Sequence, residues 1–380
     1  MRHLIMLLLL CLLSCQAPEQ PEATTAALLF VGTYTKKEAH VDGKAEGINC
    51  LEADGPGWSA EATTPGIINP SYLTIDEERS LLYAVSEIGP DVDSSGQVVA
   101  YQILADGQLK ELNRQATHGF APCYVSLHPD GSSVLVANYV GGTVAVLPRR
   151  PDGSLSPASD TLQFTGSGPH AEQEASHPHC ILPGPGGQFV FVADKGTDRI
   201  EVLNWETAEG QASLSRQSGI TVQAGAGPRH LAFHPKQRWL YLINELDATV
   251  NAYTLDPATG NLQLLQSITT LPESYQGQNT CADIHLSPDG TYLYASNRGH
   301  NSLAIYKVLP DGRLEARGHA STAGEFPRNF LMHPNGKQVL VANQNSDNIV
   351  VFDRDTTDGS LSVSEILPSP TPVCLKLYRP

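Results

Sequence analysis

A spacing of seventeen residues recurs along the chain and limits what it can fold into more than any other feature. Counting from Pro228 in Gly227-Pro228-Arg229-His230, the apolar run Trp239-Leu240-Tyr241-Leu242-Ile243 ends in Asn244, and Glu245 stands seventeen residues on. The same ruler joins Pro70 to Glu87, Pro122 to Tyr139, Pro178 to Lys195, Cys281 to Arg298 and Pro327 to Gln344. Seven residues into the unit comes Pro129, Pro185, Pro235, Pro288 or Pro334, as in the turn-forming His128-Pro129-Asp130-Gly131. Self-similarity of this kind marks a repeat array, in which each unit buries its face against the next. Such an array also escapes the size at which a single core stops growing, a limit that a chain of 380 residues would otherwise meet.

Within a unit the pattern reads as four short strands. Tyr124 to Leu127 is one, Pro129-Asp130-Gly131 turns the chain, and Val134 to Ala137 follows; Gly141-Gly142 turns again before Thr143 to Leu147, and the fourth runs near Leu162 to Phe164. β-Branched runs punctuated by Gly, Pro and Asp suit antiparallel strands, and no long helical periodicity competes. Units of 45 to 56 residues fit the blades of a propeller. At the ends, Thr371 to Leu377 opens a unit that the chain does not finish, while Leu28 to Tyr34 and Ile48 to Leu51 look like second and third strands without a first. Joining them makes a seventh blade and removes exposed sheet edges. The expected fold is therefore all-β: a seven-bladed β-propeller of four-stranded antiparallel blades over residues 28–380, its ring closed by a blade shared between the N- and C-terminal strands.

Ahead of it, Met1-Arg2-His3 and the apolar run Leu4 to Leu13 read as a secretion signal, the run being too short for a membrane-spanning helix. Leu12-Leu13-Ser14-Cys15 resembles the lipobox of bacterial lipoproteins, which implies a signal peptide over 1–14, lipidation of Cys15, and an exported protein anchored by that lipid alone and facing the periplasm or cell exterior. An ordinary signal peptide with Cys15 incidental is the plainer alternative. Residues 15–27, rich in Pro, Glu, Ala and Thr, read as a tether. A net charge of −16 without a Lys/Arg cluster argues against nucleic acid as a partner. Beyond Cys15 the mature chain has Cys50, Cys123, Cys180, Cys281 and Cys374, an odd number that leaves at least one thiol unpaired; four of them begin inner strands, where packing is their expected role.

In a propeller, the residue after each unit's first Pro and the residue seventeen on lie at one end of the central channel. The first column reads Ser71, Cys123, His179, Arg229, Ala282, Arg328 and Val373, and the second Glu87, Tyr139, Lys195, Glu245, Arg298 and Gln344. Three arginines that could hold an anion stand out, with His179 and Glu245 as proton carriers. The residue before the second column is Asn138, Asp194, Asn244, Asn297 or Asn343, with Ser86 in the first unit, a repetition that fits strand-end hydrogen bonding. His128, His234 and His333 precede turn prolines and read as structural. His177 and His179 could suggest zinc, but no third ligand has an obvious place, so neither a metal nor another cofactor is expected. Arg229 and Glu245 could equally form a salt bridge at the rim.

The motifs Gly168-Pro169-His170-Ala171-Glu172-Gln173-Glu174 through His177-Pro178-His179, Gly227-Pro228-Arg229-His230, Asn244-Glu245, Ser296-Asn297-Arg298-Gly299 and Phe326-Pro327-Arg328-Asn329 are similar, in order and spacing, to those of the lactonase family of seven-bladed propellers. That family includes the propeller-type 6-phosphogluconolactonase and the fungal 3-carboxy-cis,cis-muconate lactonizing enzyme; His170 and Glu172 depart from its pattern. The resemblance implicates His179 or His177, Arg229, Glu245, Arg298 and Arg328. It implies a metal-independent lactonase acting on an acidic, carboxylated or phosphorylated, sugar lactone, with 6-phosphogluconolactone the substrate the family supplies. His179, Glu245 and Arg229 are the expected catalytic residues, and His177, His230, Arg298, Arg328, Glu87 and Tyr139 the expected substrate-binding ones. Nearby guanidinium groups should keep His179 neutral and available as a base, Glu245 should orient His179 or an arginine, and the arginines suit a carboxylate or phosphate. The chain is expected to work as a monomer on a small lactone. The alternatives are a lactonizing cyclase of the muconate type and a non-catalytic, membrane-anchored propeller whose open rim binds a protein or glycan.

Overall fold

The computed structural model describes residues 26–55 and 57–380; the signal segment, Cys15 and nearly all of the tether lie outside the described residues. Seven four-stranded antiparallel sheets form a ring, with one two-stranded hairpin, Lys37–Glu38 with Val41–Asp42, at its rim. The inner strands of blades 1 to 6 are Leu73–Asp76, Pro122–Leu127, Pro178–Pro183, Pro228–Phe233, Thr280–Leu286 and Pro327–Met332. Blade 7 takes its inner strand, Pro372–Tyr378, from the C-terminus and its other three, Leu28–Thr33, Gly47–Asp54 and Gly57–Pro65, from the N-terminus. Leu28 pairs with Tyr378 and Val31 with Leu375, so the two ends of the chain close the ring by backbone hydrogen bonds.

Each second strand is covered on both faces by neighbouring blades, and its sequence is accordingly apolar throughout rather than alternating. Leu81–Ser86, Ser133–Asn138 and Phe189–Asp194 are buried at every position. Each fourth strand lies on the outside, and Leu361–Pro368 or Leu314–Ser321 is mostly open to solvent. Polar ties join the blades. The hydroxyls of Tyr83, Tyr241 and Tyr294 donate to the carbonyls of Gly153, Gly312 and Gly359 in the following blade at 2.8, 3.0 and 2.7 Å. Those glycines have φ of +86°, +85° and +79°, a conformation that a side chain would strain. The recurring asparagines act as their repetition suggests: Asn138 and Asn297 each donate to a carbonyl at the end of the preceding blade, Thr117 and Thr270, and to a hydroxyl at the start of their own third strand, Thr143 and Ser302. His128 and His234 meet the carbonyls of Gly187 and Gly290 in the next blade's turn, a structural role. All five described cysteines are free and buried.

One irregularity of the ring decides where chemistry can sit. In six of the blades the pairing of inner and second strands slips at the start of the inner strand: Pro228 faces Asn244 and His230 faces Ile243, leaving Arg229 without a partner position. The same slip frees Cys123, His179, Arg328 and Val373, and in blade 5 it covers Ala282 and Asp283. A bulge of this kind re-aims its extra side chain. Every residue of the first column except Ser71 is therefore a bulge residue near the head of the channel.

Candidate active site

The wide end of the channel is a cavity of about 970 Å³. Six of the nine expected site residues line it: Glu87, Tyr139, His179, Glu245, Arg298 and Arg328, joined by His40, His170, Glu172 and Lys195. The other three stand back from it. Arg229 and His230 line a much smaller space of about 10 Å³ that His179 and Arg328 also border. His177 lies behind Tyr139, stacked on its ring at 4.5 Å, with its Nδ1 at 3.0 Å from the Tyr139 carbonyl and its Nε2 at 3.2 Å from Glu174. Of the two histidines, His179 faces the cavity.

Glu245 is the hub of the floor. Its carboxylate accepts from Arg229 Nε at 2.7 Å and Lys195 Nζ at 3.0 Å, and Arg298 Nη2 stands at 3.1 Å. Burial alone would push its pKa up, but Arg298, Lys195 and Arg229 together outweigh burial and hold the carboxyl well below the usual range. Those contacts are with cations; no hydrogen bond joins Glu245 to His179. Arg229 is 2% exposed and spends its donors within the protein, on Glu245, on the Ala282 carbonyl at 2.6 Å and on His230 Nε2 at 3.3 Å. It anchors the floor instead of reaching into the cavity. His230 donates from Nδ1 to Asp283 at 2.8 Å, and burial followed by the charge of Arg229 lowers its pKa to about 4.

His179 differs from the charged side chains of the floor. Its ring makes no hydrogen bond to the protein, and Nδ1 is buried without a partner. Burial, then the charges of Arg229 and His230, keeps its pKa well below 6.5. Desolvation is thus the first cause of a shift expected from arginine charge. The neutral imidazole is packed edge-on against Tyr139 and lies 5.3 Å from the His230 ring centre.

The walls carry the remaining charge. Arg298 donates to the Cys281 carbonyl at 2.8 Å and lies over the ring of Phe326 at 5.0 Å; burial draws its pKa down to about 10. Arg328 donates to Tyr34 Oη at 2.9 Å, and Tyr34 in turn donates to Glu87 at 3.0 Å, while Ser71 Oγ also donates to Glu87. Phe326, just before the bulge that carries Arg328, has φ +64°, a strained backbone of the sort that gathers at functional sites. Lys195, whose side chain is 4% exposed, donates to Tyr139 Oη at 3.1 Å, Glu245 at 3.0 Å and Glu172 at 2.6 Å. Lys195, Glu172, Tyr34, His40 and Asp283 were not among the expected site residues. Lys195 stands in the second column and was legible there, and Asp283 shows as an acid inside an inner strand; Tyr34, His40 and Glu172 reach the site from segments outside the seventeen-residue ruler.

Comparison with known proteins agrees with this architecture. A family model described as "Lactonase, 7-bladed beta-propeller" matches residues 28–377. The 6-phosphogluconolactonase of Bacillus subtilis (strain 168) is 35% identical over 358 residues, covering 92% of this chain and 98% of the relative. The protein of the same name from Formosa agariphila is 34% identical over 88% of this chain and 94% of its own. Among solved structures, the periplasmic gluconolactonase of Pseudomonas aeruginosa superposes with a TM-score of 0.86 at 33% identity, covering 93% of this chain and all of that one (100%). The chain belongs to the lactonase family of seven-bladed β-propellers.

Proposed function

We propose that the protein hydrolyses a sugar lactone at this mouth, with His179 as the base. The observation that carries the reading is the His179 imidazole, kept neutral and free of protein hydrogen bonds at the floor of a polar cavity lined by both cations and carboxylates. Water, deprotonated by His179, adds to the lactone carbonyl. Arg298 faces the charge that develops on the carbonyl oxygen, where preorganised donors contribute most. When the ring C–O bond breaks, the imidazolium returns its proton to the departing alkoxide, giving one hydroxy acid from one lactone and one water. Glu245 does not exchange protons, since its cations hold it ionised; it fixes Arg229, Arg298 and Lys195 in place. Arg328, braced by Tyr34 and Glu87, is the arm of the anion clamp on the opposite wall.

The relatives named 6-phosphogluconolactonase and gluconolactonase support a six-carbon sugar lactone as substrate. A concave cavity with His179 and Glu245 on its floor also favours an enzyme over a binding platform, for which a broad open rim would serve. Turnover of a panel of neutral, carboxylated and phosphorylated lactones by the purified protein, with a chelator control, tests the reading. Hydrolysis of at least one class, indifferent to chelator, is expected; a folded protein that turns over none of them would overturn it. Export with a lipid anchor at Cys15 is part of the same proposal, supported by the lipobox-like sequence and the periplasmic relative. Cys15→Ser should release the protein from membranes, and continued attachment would refute the anchor.

A further inference from the structure

Glu172 lines the cavity and accepts a hydrogen bond from Lys195, the lysine of its wall. An ammonium group has three donors. Those of Lys195 are all taken, by Glu245, Tyr139 and Glu172. Two of these partners are fixtures: Glu245 is buried among Arg229 and Arg298, and Tyr139 is packed between His177 and His179. Glu172 is not. Its side chain is 52% exposed and it sits on the connection between blades 2 and 3. Yet it is not a wandering surface carboxylate, because the next residue pins that connection. Gln173 is fully buried and donates from Nε2 to the Lys195 carbonyl and to Asp198, both at 2.7 Å. The carboxylate is thereby carried to the cavity side of Lys195, at 2.6 Å.

The charge of the cavity as a whole points the same way. Lys195, Arg298 and Arg328 line it, and so do Glu87, Glu172 and Glu245, so that its cations are matched by carboxylates. A dianionic group entering beside Lys195 must displace Glu172 and then sit near it, and like charges held close in a partly desolvated space repel. A hydroxyl meets no such repulsion and finds acceptors and donors already in place.

We propose that Glu172 is a specificity-determining residue: it occupies the anion position of Lys195 and turns the site toward lactones whose distal end is uncharged and hydroxylated, against those ending in phosphate. This rests on the lactonase reading of the same cavity and narrows its substrate class.

The test compares the wild-type protein with Glu172→Gln and Glu172→Asp in two readouts: kcat/KM for glucono-1,5-lactone and for its 6-phosphate, and calorimetric binding of the hydrolysis products, gluconate and 6-phosphogluconate. Wild type should prefer the neutral lactone. Glu172→Gln should raise the phosphorylated-to-neutral ratio of kcat/KM on the order of tenfold, chiefly through KM, and tighten 6-phosphogluconate binding by a similar factor with gluconate little changed. Glu172→Asp, which keeps the charge, should stay near wild type. A ratio and a 6-phosphogluconate affinity that both stay within about twofold of wild type in Glu172→Gln would overturn the proposal, as would an equal gain in Glu172→Asp. The product-binding arm stands without turnover: if no lactone is hydrolysed but the variant still gains affinity for 6-phosphogluconate, the catalytic reading falls and the role of Glu172 at the anion position holds. If neither product binds either form, the role of Glu172 falls as well.

Discussion

Two buried carboxylates lie near each other at the head of the channel, and they are held in opposite ways. Glu245 is surrounded by cations, Lys195, Arg229 and Arg298. Asp283, one step further along the inner strands, is surrounded by hydrogen-bond donors: His230 Nδ1 at 2.8 Å, His285 Nε2 at 2.9 Å, the backbone N–H groups of Ile284 at 3.0 Å and Phe330 at 3.2 Å, and the Asn329 amide. Both stay ionised, each held well below its ordinary pKa against the opposing effect of burial. The difference lies in what is left over. Five donors saturate Asp283, and it borders neither the cavity nor the small space beneath it. Around Glu245 one carboxylate serves three cations, and two of them, Lys195 and Arg298, also line the cavity. Arg298 keeps donors free of protein partners beside an open space, whereas Asp283 is a saturated acceptor.

If that distinction holds, removing the charge at each position should have different consequences. Glu245→Gln leaves three cations crowded without their shared counter-ion. Loss of a buried partner of this kind typically costs about 3–5 kcal/mol of stability, and lactone turnover should fall by roughly a thousandfold or more as the floor rearranges. Asp283→Asn should cost about 1–3 kcal/mol by leaving His230 and His285 poorly paired, yet retain turnover per folded molecule within about tenfold. Thermal melts run beside steady-state kinetics separate the two. An Asp283 variant that melts normally and loses as much activity as the Glu245 variant would erase the contrast.

The same comparison explains what could be read from the sequence. Six blades follow from the seventeen-residue ruler, and the seventh with its closure from the incomplete units at the two termini, because a propeller repeats one supersecondary unit and each repeat leaves the same apolar runs and turn residues. The ruler also found the head of the channel. It did not reveal that the first column sits in bulges, since a slipped pairing depends on the partner strand and not on the residue itself. Nor did it separate Arg229 from Arg298 and Arg328: all three carry one charge in equivalent columns, and only the geometry shows Arg229 spent on Glu245 and Ala282. Lys195 was in the second column, but its importance comes from Glu172 and Tyr139, which meet it from a blade connection and a neighbouring blade. Asp283 and its two histidines form a set spread over two strands and completed by Asn329 from a third, which no linear spacing displays.

Two smaller effects sharpen the picture. Arg298→Lys keeps the charge but loses the planar fork and its fit over Phe326, so kcat/KM should fall about tenfold, chiefly through kcat and for neutral and acidic lactones alike. An unchanged kcat/KM would remove Arg298 from the reacting carbonyl. The pH dependence is subtler. His179 is held well below 6.5 in the folded protein, so kcat/KM should stay level as pH falls through 6.5 and decline only further into acid. Stability responds to acid earlier than activity. The unfolded chain protonates these histidines near 6.5 while the folded protein keeps His179 neutral and His230 neutral down to about 4. The unfolded state therefore binds more protons below about 6.5, and stability present above that pH is lost as pH falls through it. Melting temperatures at pH 8 and pH 5 should show the drop before activity does; an acid limb in kcat/KM at 6.5 or above would contradict a neutral, buried His179.

The most direct measurement is the turnover of His179→Ala on the best lactone of the panel, with its melting temperature recorded alongside. Because His179 makes no protein hydrogen bond and has a buried, unpartnered Nδ1, its loss should leave the melt close to wild type. If it is the base, kcat should nevertheless fall by about 10²–10⁴-fold with KM little changed. A folded His179→Ala protein that hydrolyses the lactone within about threefold of the wild-type rate would contradict the account.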